Sequence, residues 1–160
     1  MKKLAFLLLL STFSFAQTKA EKDINTVLNQ WHAAAAAANF SSYFDLMTSD
    51  AVFIGTDATE VWNKTEFMAY AKPHFDKGKA WSFTSLNRTI YYSKNKKTAW
   101  FDELLDTQME LCRGSGTLVK TKNGWKIAHY VLSMTVPNEV ASEVIKTKKP
   151  LESKNSFREK

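Results

Sequence analysis

Residues 112–137 constrain this chain more than any other stretch. Two β-prone runs, Cys-Arg-Gly-Ser-Gly-Thr-Leu-Val-Lys from Cys112 and Trp-Lys-Ile-Ala-His-Tyr-Val-Leu-Ser-Met-Thr-Val from Trp125, flank Asn123-Gly124. Asn-Gly is the strongest short hairpin signal, because a two-residue turn of the primed type asks φ > 0 of both central residues. The stretch predicts the centre of a curved antiparallel sheet. It also sets unlike chemistry on that sheet, with Arg113, His129 and Tyr130 among Leu118, Val119, Ile127, Val131, Leu132 and Met134. An unpartnered guanidinium is too costly to bury, so Arg113 requires a carboxylate or a wet cavity. That requirement predicts a pocket against the sheet.

The chain begins with a basic Lys2-Lys3, an apolar run Leu4–Leu10 extended by Phe13 and Phe15, and a small-x-small Ser14-Phe15-Ala16. This reads as a secretory signal peptide over residues 1–16, cut before Gln17. Its apolar core falls short of the about 20 residues that span a bilayer, and no cysteine follows Ala16. Export to a periplasmic or extracellular space is therefore expected, with no stable membrane anchor after cleavage. Residues 17–160 have the size of one domain. Cys112 is the only cysteine, so packing must supply the stability, and 13% aromatic residues provide material for it.

The net charge of +6 is unevenly placed. Lys2 and Lys3 belong to the leader, and residues 146–160 carry six basic against two acidic side chains, which leaves residues 17–145 neutral. Nucleic acid is therefore not an expected partner of the domain. Residues 143–160 read as a basic, solvated, flexible tail, and residues 17–142 as the domain.

Ile24, Val27, Leu28, Trp31, Ala34, Ala35 and Ala38 recur at helical spacing and predict a first helix over 20–39. Ser41 is the expected cap of a short second helix to Met47, and Thr65 of a third that Pro73 ends or kinks. Strands are expected over 51–56, 60–62, 81–93, 98–105, 109–120 and 125–136, with Gly114 and Gly116 marking a bulge or sharp coil. Helices followed by a four-strand meander predict an α+β fold.

The element order, with Gly55-Thr56-Asp57, Glu60-x-Trp62, Ala99-Trp100-Phe101-Asp102-Glu103, Arg113-Gly114-Ser115-Gly116 and Trp125-Lys-Ile-Ala-x-Tyr130-x-Leu132, resembles the SnoaL-like branch of the nuclear transport factor 2-like superfamily over about residues 20–140. The resemblance implies a cone-shaped curved antiparallel sheet (a cystatin-like roll) covered by N-terminal helices. It also implies a cavity between the two layers and often a homodimer. Its members include isomerases, cyclases, dehydratases and proteins that only bind ligands, so the fold alone does not name an activity.

Strand register decides what the polar residues can do. A three-residue turn near Asp106-Thr107-Gln108 puts Glu103 and Arg113 on one face, and a two-residue turn sets Arg113 against Asp102. A strict Asn123-Gly124 turn puts His129 opposite Arg113, and a three-residue loop with a bulge unites them. His129 is a candidate general base with Glu103 or Arg113 orienting a substrate, or else a hydrogen-bonded structural histidine. Asp57 and Glu60 follow the first strand, where the cavity mouth of the family lies. Trp31, Tyr43, Trp62 and Tyr130 are candidate walls, with Arg113 available for a ligand carboxylate. Asp57 in a turn equally suits capping of backbone amides. His32, His74 and His129 share no ligand spacing, so no metal is expected, and no motif calls for a cofactor. Asn39, Asn63 and Asn87 each open an Asn-x-Ser/Thr triplet.

Two functions fit. One is an exported protein holding a small, partly apolar organic ligand in the cone, with a homodimer through the outer sheet face. The other is a cofactor-independent isomerase, dehydratase or hydrolase using His129.

Overall fold

The computed structural model describes residues 18–153. The expected signal peptide and the last residues of the basic tail lie outside them. Helix α1 (Lys19–Ala36) starts where Thr18 accepts the Glu21 N–H, and it buries Ile24, Leu28, Trp31, His32, Ala34 and Ala35. Its alanine-rich end turns sharply at Ala38, whose φ is 51°. Helix α2 (Phe40–Asp45) is capped by Asn39, which accepts the Ser42 N–H, rather than by Ser41. Helix α3 (Lys64–Asp76) opens on a capping box, Asn63 with Glu66, rather than on Thr65. An Asn with a Glu three positions on satisfies two orphan amides at once, which Thr65 alone does not. Pro73 sits inside α3, and the helix runs past it to Asp76.

The strands are β1 (Met47–Ile54), β2 (Val61–Asn63), β3 (Phe83–Tyr92), β4 (Thr98–Thr107), β5 (Glu110–Thr121) and β6 (Gly124–Met134). They form one unclosed, curved sheet in the order β2-β1-β6-β5-β4-β3. Pairing is antiparallel except where β1 runs parallel to β6, with Phe53 opposite Tyr130. The expected curved antiparallel meander is present as β3 to β6, and the parallel β1–β6 pairing makes the whole sheet mixed. The helices lie on one face, and that inner face carries Phe53, Phe101, Leu105, Cys112, Leu118, Ile127, Tyr130 and Leu132 into the buried core.

Two turns set the register. Thr107 pairs with Glu110, so β4 and β5 are joined by two residues and Arg113 stands opposite Leu104. Thr121 pairs with Gly124, so the β5–β6 turn is Lys122-Asn123 and not Asn123-Gly124. Only Gly124 has a positive φ there, at 100°. The Thr121 hydroxyl accepts the Asn123 N–H and donates to the Gly124 carbonyl, which favours this one-residue displacement. A bulge at Ala128 then shifts the pairing so that Thr117 stands opposite His129. Gly114 and Gly116 are not at the bulge. They are required because a Cβ on Gly114 would meet the Tyr130 hydroxyl at 2.1 Å, and one on Gly116 the His129 carbonyl at 2.4 Å.

After a 3-10 turn (Asn138–Val140), residues Ala141–Glu152 form helix α4, where sequence analysis expects a tail. No residue of α4 is buried. Glu143 in its first turn and Lys149 in its last complement the helix dipole, which supports a helix without core contacts.

Candidate functional site

Two groups of polar residues stand out on the inner face. The first surrounds Glu103, whose side chain is fully buried. Its Oε1 accepts from His32 Nε2 at 2.9 Å and from the Tyr130 hydroxyl at 3.1 Å. Its Oε2 takes both arms of Arg88, at 2.9 and 2.7 Å. Arg88 in turn donates to Asn25 and Asn29 on α1, at 2.8 and 3.0 Å. The cluster thus ties α1 to β3, β4 and β6. Burial alone would push the Glu103 carboxyl up, but the hydrogen bond and field of His32, joined by the Arg88 guanidinium, hold it below its ordinary value. Burial first, and the charge of Glu103 second, push the Tyr130 phenol well above 10. With four donors on two oxygens, Glu103 has no lone pair left for a substrate.

The second group lines a cleft of about 150 Å³ at the end of the sheet where β1 meets β2. Trp62, Tyr70, Trp81 and Phe67 form its aromatic walls, and Gln108 and Met109 from the β4–β5 turn close one side. Glu60 is the one charged side chain that the described residues bring to the lining. The loop after β1 positions it: the Gly55 N–H reaches the Glu60 carbonyl at 2.9 Å, and the Asp57 N–H donates to Glu60 Oε2 at 3.1 Å. A Cβ at Gly55 would lie 2.2 Å from that oxygen, so this placement of the Glu60 side chain uses the space that the glycine leaves. Trp62 stacks on Tyr70 at 4.5 Å and on Phe67 at 5.7 Å, which holds the wall between β2 and α3.

Of the residues singled out from sequence, Glu60 and Trp62 reach this cleft. Asp57 does not; its Oδ1 accepts the amide and hydroxyl of Thr59, and these bonds hold its exposed carboxyl below the ordinary value. Trp31, Tyr43 and Tyr130 are sealed in the core, at 1%, 1% and 0% exposure, with Trp31 stacked on Tyr43 and edge-on to Tyr130. The Tyr43 hydroxyl and the Trp31 indole N–H are buried there with no hydrogen-bond partner among the described residues. Burial pushes the Tyr43 phenol well above its ordinary value, which neighbouring Trp81 offsets only in part.

Arg113 and His129 share a face, but it is the outer one. Arg113 is more than half exposed and stands 3.8 Å from Asp102, the partner that a two-residue turn demands. His129 sits beside Thr117 and Val52 in the pairing, with the inward-facing Tyr130 next to it in sequence. Glu103, Arg113 and His129 therefore do not converge, because alternation sends Glu103 inward and the other two outward.

Sequence reasoning missed His32 and Arg88, the two cations that Glu103 engages. His32 lies four residues after Leu28 on the buried stripe of α1, so helical spacing alone could have found it. Arg88 shares the inner face with Ile90 and Tyr92, and the β3–β4 hairpin carries it in unbroken register from Tyr92 opposite Ala99 to its place opposite Glu103, so the length of that turn was the signal that could have found it. Among the described residues, no group of three or more His, Cys, Asp or Glu side chains is placed to hold a metal ion.

Residues 24–137 match the family model described as a SnoaL-like domain. The chain belongs to the SnoaL-like family. No curated protein sequence matches it significantly. Solved structures show the same fold at low identity. An NTF2-like protein of unknown function from Pseudomonas putida KT2440 superposes with a TM-score of 0.62 at 15% identity, over 76% of this chain and 90% of that one. A proposed dehydratase of the NTF2-like family from Streptomyces avermitilis gives 0.62 at 12%, over 72% and 96%. A proposed aromatic ring hydroxylase from Novosphingobium aromaticivorans gives 0.62 at 15%, over 72% and 89%. At such identities the likeness carries the SnoaL-like fold and no activity.

Proposed function

We propose that this SnoaL-like protein binds a small, partly apolar organic molecule in the cleft between β2, α3 and the β4–β5 turn. The observation that carries this reading is the composition of that cleft, several aromatic rings with a single carboxylate, on the same side of the sheet as the helices. Concave, mostly aromatic sites with a few placed polar groups are the usual form of a ligand site. The alternative, an isomerase, dehydratase or hydrolase working through His129, loses support from the outward position of that residue. Glu103 offers no replacement base, since its oxygens are already saturated.

Thermal denaturation against a library of aromatic and aliphatic fragments tests the reading. A ligand at 100 times its dissociation constant adds about 2.7 kcal/mol, on the order of a 10 °C rise in melting temperature for a domain of this size. Trp62→Ala should abolish the rise. No rise with any fragment overturns the proposal.

Export is part of the same proposal, on the basic, apolar and small-residue order of residues 1–16; a mature N-terminus other than Gln17 in exported protein would count against that cleavage site. A second copy is the proposed partner at the outer face, where Trp100 and Tyr91 are 46% and 44% exposed and stack on each other at 6.0 Å. Sedimentation of wild type and Trp100→Glu tests this, and a monomeric wild type refutes it.

A further inference from the structure

We infer that the ligand of this cleft is a small organic cation, an amine or an alkylated ammonium group. The inference rests on the binding reading above and adds the charge of the ligand. Among the described residues, no lysine, arginine or histidine lines the cleft, and Glu60 is its one ionisable side chain apart from the Tyr70 phenol. Glu60 is also held in place and left partly free. Its Oε2 is fixed by the Asp57 amide and lies directly over Gly55, whereas Oε1 has no hydrogen-bond partner among the described residues.

The walls favour the same sign. Aromatic rings carry the negative part of their quadrupole on their faces, and a lining that includes Trp62, Tyr70 and Trp81 favours a cation wherever one of those faces is open to the cleft. A carboxylate or phosphate ligand would meet Glu60 with no counter-charge in the lining. A neutral aromatic ligand could use the rings but would strip water from Glu60 without replacing it, which costs affinity. Only a cation uses both features. The volume sets the size, since about 150 Å³ is the room that a benzene-sized molecule occupies in a protein interior. A trimethylammonium group or a short alkylamine fits this, and a large polycyclic molecule does not.

The test is calorimetric titration of the purified protein with choline and with 3,3-dimethylbutan-1-ol, which replaces the ammonium nitrogen of choline by carbon and keeps its shape. Phenol and benzoate serve as neutral and anionic references. Choline should bind about tenfold more tightly than its neutral isostere, a difference of about 1.4 kcal/mol. Glu60→Gln, which preserves shape, should lower choline affinity about fivefold or more and leave the alcohol within twofold, at an unchanged melting temperature. Equal affinity for choline and the alcohol, or a choline affinity indifferent to Glu60→Gln, overturns the cation assignment and leaves the binding reading intact. Binding of benzoate or phenol without choline does the same. Silence from all four probes and from the fragment library overturns both.

Discussion

Replacing Glu103 by alanine should cost about 3–5 kcal/mol, the range expected when one partner of a buried ion pair is removed and the other is left uncompensated. Such a value applies here because the Glu103 side chain is fully buried and that of Arg88 is 5% exposed, so water cannot take the place of the carboxylate. The Asn25 and Asn29 carbonyls still accept from Arg88 Nη1, but Nε and Nη2 are left with nothing, as are His32 Nε2 and the Tyr130 hydroxyl. Against a total stability of roughly 5–15 kcal/mol this is a large fraction. With a urea dependence of about 1–3 kcal/mol per molar, the unfolding midpoint should fall by about 2 M. Glu103→Gln keeps the volume but turns one acceptor into a donor facing other donors, so an intermediate loss of about 2–3 kcal/mol is expected. The double variant Glu103→Leu with Arg88→Met removes both charges and should recover much of what Glu103→Ala loses.

Acid supplies the control. The folded Glu103 carboxyl is held below the ordinary 4.5, so the folded state binds this proton less tightly than the unfolded state. Its stabilisation is therefore complete above that ordinary value and is lost as the pH falls through the lower, folded one. The gap between wild type and Glu103→Gln should accordingly be constant at neutral pH and narrow in acid below about pH 4.5. Loss of under about 1 kcal/mol in Glu103→Ala, or a gap to Glu103→Gln that ignores acid, would refute the reasoning.

Gly114→Ala should destabilise the fold by about 1–3 kcal/mol in urea melts, since the new methyl lands on the Tyr130 hydroxyl and against Glu103 Cγ at 3.0 Å. The Tyr43 and Tyr130 phenols are raised well above 10.0, so the folded state holds those protons more tightly than the unfolded chain. Stability should thus decline as the pH rises past about 10, and the phenolate absorbance of these two residues should appear only with unfolding. Arg113→Ala should leave the melting temperature unchanged within error, because its Asp102 partner lies 3.8 Å away and both side chains are wet. A large loss there would mean that the contact proposed around Trp100 and Tyr91 extends over Asp102 and Arg113.

Helix α1 was legible because its apolar spacing is a local property, and the meander because alternation and turn residues are local too. The ordering of strands beyond the meander was not, since the parallel pairing of β1 with β6 joins segments about 80 residues apart. The candidate site failed on a narrower point, the parity of register. A strand alternates its faces with period two, so one residue more or less in a turn inverts every side chain beyond it. Between β4 and β5 the turn is two residues, which sends Arg113 to the side of Asp102. Between β5 and β6 the displaced turn is still two residues and leaves the parity unchanged, and the bulge at Ala128 brings Arg113 and His129 to one face, the face away from Glu103.

The charge that Glu103 demanded was supplied instead by His32 from α1 and by Arg88, its direct partner across the β3–β4 hairpin. The residues that did reach the cleft, Glu60 and Trp62, sit in or beside the β1–β2 hairpin, where Gly55 and Asp57 build the loop from contacts within six residues. Contacts inside one short loop are set by a few neighbouring residues, whereas pairs across strands, Arg88 with Glu103 included, require the register first.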